Sequence, residues 1–478
     1  MSSSKKVSLL RCPRPPLALP LLCVAVALSG HPHRAQAESN LGGDLNMIGQ
    51  MHGGVNAPLY LDGSSSGTHN GVESLTSLRE NSHSVVAGLN LGYRPDKHDE
   101  FWIRPEAVSG IPFSNATGLA GFPNIDMQKF MTVSPTVYLA QVFYRHTLDL
   151  GGAVDPVAGD GMQFGGEVTH QHLNVQVGKM DLLTLFDDNR WGHKSADRFL
   201  NWCFMTSCAY DFAADARGYA SGLFAEYQWG DWSVRGGRFT LPKLPNQLPL
   251  DYQLFQHYGD NLELERRFEA GSVKLLGFHN HMKLATYGAV NGVLAPIPTA
   301  ADNNNPNLPN PRVERDKYGV GLNGDYSPYP HLGVFGRLMV TSANTETAAF
   351  TDADHALALG VVGEGDLWNR PFDNAGLALA INAAGGQRRR YMEAWLPSLL
   401  VGDGQQAAGA DYYRGRWFGP TPGAAFHYGR EVVLETYFLR GITRTTHVTL
   451  DVQRVIHPGY NCDRGPVDVL SMRLHTEF

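Results

Sequence analysis

The chain ends Val469-Leu470-Ser471-Met472-Arg473-Leu474-His475-Thr476-Glu477-Phe478. Side chains of an extended strand point alternately to its two faces. Leu470, Met472, Leu474, Thr476 and Phe478 therefore share one face, and Val469, Ser471, Arg473, His475 and Glu477 the other. One face is mostly apolar and the other mostly polar or charged. A soluble sheet with one wet face satisfies this pattern. A closed membrane barrel satisfies it too, with the apolar face on lipid and the charges in a lumen. The remainder of the sequence separates the two.

The same alternation recurs upstream. Leu89, Leu91 and Tyr93 alternate with Asn90, Gly92 and Arg94, and after a short turn at 95–99 Phe101 and Ile103 alternate with Trp102, Arg104 and Glu106. A long loop at about 109–132 follows. Leu173, Val175 and Val177 oppose Asn174 and Gln176; Leu223, Ala225, Tyr227 and Trp229 oppose Glu226 and Gln228; Leu262 and Leu264 oppose Glu263, Glu265 and Arg267. Tight turns are expected at Gly230-Asp231, at 269–272 and at 326–331, and a long Asn- and Pro-rich loop at about 285–315. Later strands are predicted near 333–340, 355–365, 374–382, 391–400, 424–440, 446–456 and 466–478. Short turns at one end and long loops at the other are the pattern of outer-membrane barrels, whereas a soluble sandwich or propeller does not require it. Tyr93, Trp229, Trp232 and Tyr437 lie near strand ends, as an aromatic girdle requires.

The fold class expected is therefore all-β: a transmembrane antiparallel β-barrel of about 16 strands, with 18 the nearest alternative, short periplasmic turns and long extracellular loops. Bacterial single-chain barrels take even strand numbers, and one of this size encloses an aqueous channel. In lipid every backbone polar group must be paired, so the terminal strand has to close on an early strand, expected near residue 84.

Residues 1–37 read as a secretory signal. Lys5, Lys6, Arg11 and Arg14 precede the apolar run Leu17 to Leu28, and Ala35-Gln36-Ala37 fits a small-residue cleavage site. Residues 38–83, rich in Gly, Ser and Asn, read as a polar amino-terminal segment, and 84–478 as the barrel. The signal carries five basic residues and no acidic one; without it 34 Lys and Arg face 46 Asp and Glu, and the formal charge moves from −7 to −12. That balance argues against nucleic acid as a partner, because phosphate binding needs a basic surface. Past the signal no run of 18 apolar residues occurs, which excludes helical spans but not strands of a barrel. Cys203, Cys208 and Cys462 remain after cleavage; the first two are close enough in sequence to pair across a short loop, though spacing alone leaves this open.

Motifs for chemistry are sparse. Gly63-Ser64-Ser65-Ser66-Gly67 matches the nucleophile pattern of serine hydrolases, but no strand precedes it and no helix follows, so it reads as a linker. His170 and His172 share a strand face without an identifiable third ligand and read as solvated. Arg104, Glu106, Glu226, Arg235, Glu263, Glu265 and Arg267 are expected to point into the lumen. Mixed charges offer hydrogen bonds to hydroxyl-rich solutes, whereas a lumen of one sign would select ions. The alternative is that they keep the channel wet and brace its wall. Segment 180–218 adds Trp202, Asp211, Asp215 and Arg217, aromatic and planar groups suited to sugar rings if the segment folds into the lumen; an exposed extracellular loop is the other reading.

Several blocks together resemble a known family. They are Leu185-Phe186-Asp187-Asp188-Asn189-Arg190 with Phe199-Leu200-Asn201-Trp202; Tyr210-Asp211-Phe212-Ala213-Ala214-Asp215-Ala216-Arg217-Gly218-Tyr219; Arg235-Gly236-Gly237-Arg238-Phe239 leading to Leu241-Pro242-Lys243; and His257-Tyr258-Gly259-Asp260-Asn261-Leu262-Glu263. Gly402-Asp403-Gly404, Glu435-Thr436-Tyr437 and Pro458-Gly459-Tyr460-Asn461-Cys462-Asp463-Arg464-Gly465-Pro466 complete the set. In order and spacing they resemble the OprB-like carbohydrate-selective porins from about residue 84 to the end. The resemblance implies an outer-membrane porin of a Gram-negative bacterium that passes mono- or oligosaccharides by diffusion, without cofactor or catalysis. Expected partners are sugars in transit, outer-membrane lipid, and the barrel assembly machinery through Phe478; the assembly is a monomer or a homotrimer. The Cys203–Cys208 pair and an expanded loop at 405–423 depart from the family pattern. Two rival readings remain: a barrel enzyme, which would need a converging nucleophile and base, and a secreted glycan-binding β-protein, which would be released without detergent.

Overall fold

The computed structural model describes residues 37–53, 79–113, 118–129, 134–193, 196–298, 307–349, 351–394 and 426–478. The chain runs β1 (Glu38–His52), β2 (Glu80–Arg94), β3 (Asp99–Ile111), β4 (Thr136–Val157), β5 (Gly166–Asp181), α1 (Trp202–Met205), β6 (Tyr219–Trp229), β7 (Trp232–Phe239), β8 (Leu241–Pro242), β9 (Leu250–Asp251), β10 (Tyr258–Phe268), β11 (Gly271–Leu284), β12 (Val313–Tyr329), β13 (Leu332–Thr341), β14 (His355–Glu364), β15 (Asn374–Ala383), α2 (Gly386–Glu393), β16 (Glu431–Gly441), β17 (Thr446–Ile456) and β18 (Val467–Glu477). Among the described residues sixteen of these strands form one closed antiparallel barrel, each beside its sequence neighbour; β8 and β9 make a separate two-stranded ribbon.

The wall obeys the alternation. On β18, Leu470, Met472 and Leu474 are 50, 59 and 38% exposed while Arg473 between them is fully buried. Outward apolar side chains recur on the other strands, including Leu91, Ile103, Leu223, Leu262, Leu322 and Leu450. A continuous apolar belt of this kind is not tolerated in water and matches a hydrocarbon surround. Two-residue turns join β6 to β7, β10 to β11 and β12 to β13. The first takes its hairpin geometry from Gly230, whose φ of 59° is open to glycine at little cost. The opposite end carries the long connections.

Four expectations are corrected. Residues 38–52 are not part of a polar segment outside the barrel: they form β1, and β18 pairs with β1 (Asp44 opposite Glu477, His52 opposite Val469) rather than with the strand at residue 84, which lies one position further round. Glycines 42, 43 and 49 dilute the alternation of Leu41, Leu45, Met47 and Met51 and hide the strand. Gly43 has a packing reason, since a side chain there would meet the Phe478 ring at 2.6 Å, and its backbone exchanges hydrogen bonds of 2.9 and 3.0 Å with Phe478. The strand predicted at 391–400 is absent from its described part, where α2 instead ends at Glu393. Its Gln, Arg, Met and Glu content favours helix, and the fully buried Arg388 anchors it to Asp352 and Asp354. Tyr437 faces inward, edge-on to Phe199 at 4.9 Å, and is no girdle residue. Finally, the turns 158–165 and 365–373 are longer than the short periplasmic turns expected. Residues 1–36 of the signal, the 63–67 motif and the 405–423 loop lie outside the described residues.

Candidate functional site

Segment 182–218 folds into the barrel. Single side chains on many strands hold its backbone there. Arg337 on β13 donates to the carbonyls of Asp187 (3.0 Å), Gly192 (3.0 Å), Phe204 (2.8 Å) and Met205 (3.2 Å). Its Nε lies 3.2 Å from the Asp187 carboxylate. Glu435 on β16 accepts from the amides of Leu200 and Asn201, Gln453 on β17 accepts from Asn201 Nδ2 at 3.0 Å, and Arg473 on β18 donates to the Arg198 carbonyl at 3.0 Å. Guanidiniums thus take loop carbonyls and carboxylates take loop amides, which satisfies charged wall groups that burial would otherwise penalise. Cys203 and Cys208 are joined as a disulfide inside this segment, while Cys462 is free and exposed.

The seven predicted wall charges fall into two clusters. On β3, Arg104 grips Asp44 of β1 with both terminal nitrogens (2.6 and 3.1 Å), Glu106 with Nε (3.0 Å) and Asn90 of β2 (2.6 Å). Here β4 carries an extra, unpaired residue, Ala140, between Gln141 opposite Arg104 and Leu139 opposite Pro105, a proline with no amide hydrogen to give the ladder. Glu106 also accepts from Tyr138 and lies 3.6 Å from Lys129. Lys129 donates to Tyr219 at 3.1 Å. Burial disfavours the Lys129 ammonium, but Glu106, Tyr138, Asp126 and Asp181 together outweigh it and keep the amine protonated above its ordinary range. In the second cluster Arg235 of β7 lies opposite Glu226 of β6 on one side and Glu263 of β10 on the other. Its three nitrogens reach Glu226 (2.8 Å), Glu263 (2.8 Å) and Glu265 (2.6 Å). Arg267 joins through Gln228 (2.8 Å) and Glu265 (3.5 Å).

The candidates from the infolded segment have different fates. Arg217 stacks on Tyr138 at 4.0 Å and so meets the Arg104 cluster. Asp215 caps the amides of Arg217 and Tyr219 (2.9 and 3.2 Å) and pairs with Lys179 at 3.2 Å. For Trp202 and Asp211 the expectation of solute contact is corrected, because both are fully buried. Trp202 packs against Phe212, and Asp211 binds the amides of Ala348 and Ala349. His170 pairs with Asp155 at 2.8 Å, and His172 Nδ1 meets the Thr169 carbonyl at 2.8 Å. No group of three or more potential ligands among the described residues is arranged for a metal.

Asp44, Lys129, Tyr138 and Tyr219 were not singled out in the sequence. Tyr138 had a usable signal, lying between the outward Val137 and Leu139. Asp44 was lost with β1, and Lys129 sits in a connection without periodicity. A cavity of about 860 Å³ opens beside these groups, lined among others by Asp44, Arg104, Glu106, Lys129, Glu226 and Arg235. It is a water-accessible wall of both signs, most of whose charges are already paired.

The family model described as carbohydrate-selective porin, OprB family, matches residues 89–478. This chain belongs to the OprB family of carbohydrate-selective porins. It is an outer-membrane channel for passive, sugar-selective diffusion. Among solved structures, the high-pH structure of Pseudomonas putida OprB is similar over 92% of this chain and 94% of that one, with a TM-score of 0.61 and 16% identity. The Acinetobacter baumannii outer membrane channel DcaP covers 94 and 100% with a TM-score of 0.49 and 9% identity. At these identities the likeness speaks for the fold alone, and the second carries no argument. No curated protein matches the sequence.

Proposed function

We propose that sugars crossing this porin exchange hydrogen bonds with the two paired-charge clusters, around Arg104 and around Arg235, and that Glu106, Glu226, Glu265, Arg267 and Arg217 take part, while Glu263, buried as deeply as Asp211, only holds Arg235. The observation that carries this is the pairing itself. Each arginine is neutralised by carboxylates of neighbouring strands, so the wall offers donors and acceptors without the one-signed field that would sort ions. Selectivity then arises from width and hydrogen-bond partners rather than from covalent chemistry, and no cofactor takes part. The protein reaches the outer membrane through its 1–37 signal, engages the assembly machinery through Phe478, and works in lipid as a monomer or homotrimer. Reconstitution into planar bilayers and swelling liposomes tests the reading. Ion conductance together with sugar-driven swelling is the expected result; a membrane-inserted protein giving neither would end it.

A further inference from the structure

A second lumen cavity of about 550 Å³ adjoins the first. Six residues line both: Arg145, Gln163, Asn174, Asp188, Glu226 and Arg235. Side chains bordering two cavities mark the neck where these meet. Four come from the consecutive strands β4 to β7, Asp188 from the infolded segment, and Gln163 from the long turn 158–165.

That turn is pinned against the inner wall. Arg94 donates to the Gly165 carbonyl at 2.9 Å and lies 4.9 Å over the Phe164 ring. Phe164 in turn meets the fully buried Trp102 at 5.0 Å. Arg145 donates to the Met162 carbonyl at 3.2 Å and to Glu100 at 2.7 Å. Asp160 and Gln163 exchange backbone hydrogen bonds of 3.0 and 3.2 Å, which fixes the tip. A hairpin end that ordinarily hangs in the periplasm is here part of the channel lining.

The neck holds two guanidiniums, two carboxylates and two carboxamides. It is balanced in charge and supplies flat donors and acceptors on both sides, which suits hydroxyls that give and take a hydrogen bond at once.

We infer that the Arg235 cluster meets sugars as part of this neck, which Arg145, Asn174 and Gln163 complete, and that Gln163 of the periplasmic turn is a specificity-determining residue. The inference rests on the sugar-diffusion reading above. The test is the reduction of ion current by added glucose or maltotriose in planar bilayers, comparing the full-length protein with the double variant Gln163→Leu, Asn174→Leu. The half-saturating maltotriose concentration should rise roughly fivefold for each hydrogen bond lost, each channel's block being scaled to its own open-channel current. Unchanged half-saturation overturns the proposal. If the double variant fails to insert, Gln163→Glu replaces it; weaker maltotriose block with a shift toward cation preference supports the neck, and parental behaviour on both counts rejects it. A parent channel that conducts but never responds to sugar refutes the sugar-contact reading itself, which keeps the two failures apart.

Discussion

Arg235 owes its three carboxylates to register. Glu226 and Glu263 lie directly opposite it on the two neighbouring strands, and Glu265 is two residues further along on the same inward face. Replacing it removes the group that lets them sit together. In Arg235→Met, the carboxylates of Glu226, Glu263 and Glu265 lose their shared partner, so the lumen should turn cation-selective and the barrel should lose about 3–5 kcal/mol, the usual cost of breaking a buried pair. Reversal potentials under a salt gradient and unfolding in detergent measure both effects. His257, in the extracellular connection before β10, gives a pH prediction. Burial opposes its charge, but hydrogen bonds to Asp251 (2.6 Å) and Glu314 (3.1 Å) prevail and raise its proton affinity. A raised histidine stabilises fully below its unfolded value of about 6.5 and loses that contribution as pH rises through the folded value. Protection of the amides near 250–257, taken relative to their base-catalysed intrinsic exchange at each pH, should therefore be greater at acidic than at alkaline pH, with the change lying above about pH 6.5. The wall arginines and glutamates were legible in the sequence because a period of two assigns a face to each residue. Their pairing was not, because it depends on the register of strands that share no local signal.

At the scale of elements, the infolded segment depends on single side chains from distant strands. Arg337 alone holds four of its carbonyls. In Arg337→Met the carbonyls of Gly192, Phe204 and Met205 lose this donor, each orphaned group costing about 1–3 kcal/mol, while Asp187 keeps Thr206, Ser207 and Asn323. Segment 182–218 should then become cleavable by added protease and single-channel current should become noisier, while heating in detergent still shows a folded barrel. A segment that resists protease as in the parent would show that its other anchors suffice. Composition suggested that this segment could line a lumen but could not show that it does. Its receptors, Arg337, Glu435, Gln453 and Arg473, are isolated inward positions on four strands, each reading simply as a wet face. The infolding also explains apolar residues on that face. Trp102, Phe224, Phe278 and Phe335 point inward and are buried in a common cluster with Phe186, Phe199 and Phe204 of the segment, so parts of the wall lack the polar alternation that marks strands elsewhere. The misread helix α2 is a related case, because its Arg388 is paid for by Asp352 and Asp354 in a different connection.

For the whole molecule, the decisive division is between a hydrocarbon-facing exterior and a polar or loop-packed interior. Met472→Arg places a charge at the centre of β18 on the outer face and should cost about 2–4 kcal/mol near the bilayer midplane. Equilibrium unfolding in phospholipid vesicles measures this, and a change near zero would contradict the orientation assigned to the wall. The closure of that wall has a consequence for biogenesis. Gln50 and Ser471, hydrogen-bonded across the join at 3.0 Å, are separated by 421 positions in the chain. Contacts so remote carry the greatest loop-closure entropy and belong to the slow end of folding. Until the final residues arrive, β1 and β17 present raw ladders, each a template for stray pairing. The channel is therefore an all-or-nothing product: a polypeptide lacking β1 or β18 yields an unsealed sheet with two raw edges instead of a closed pore.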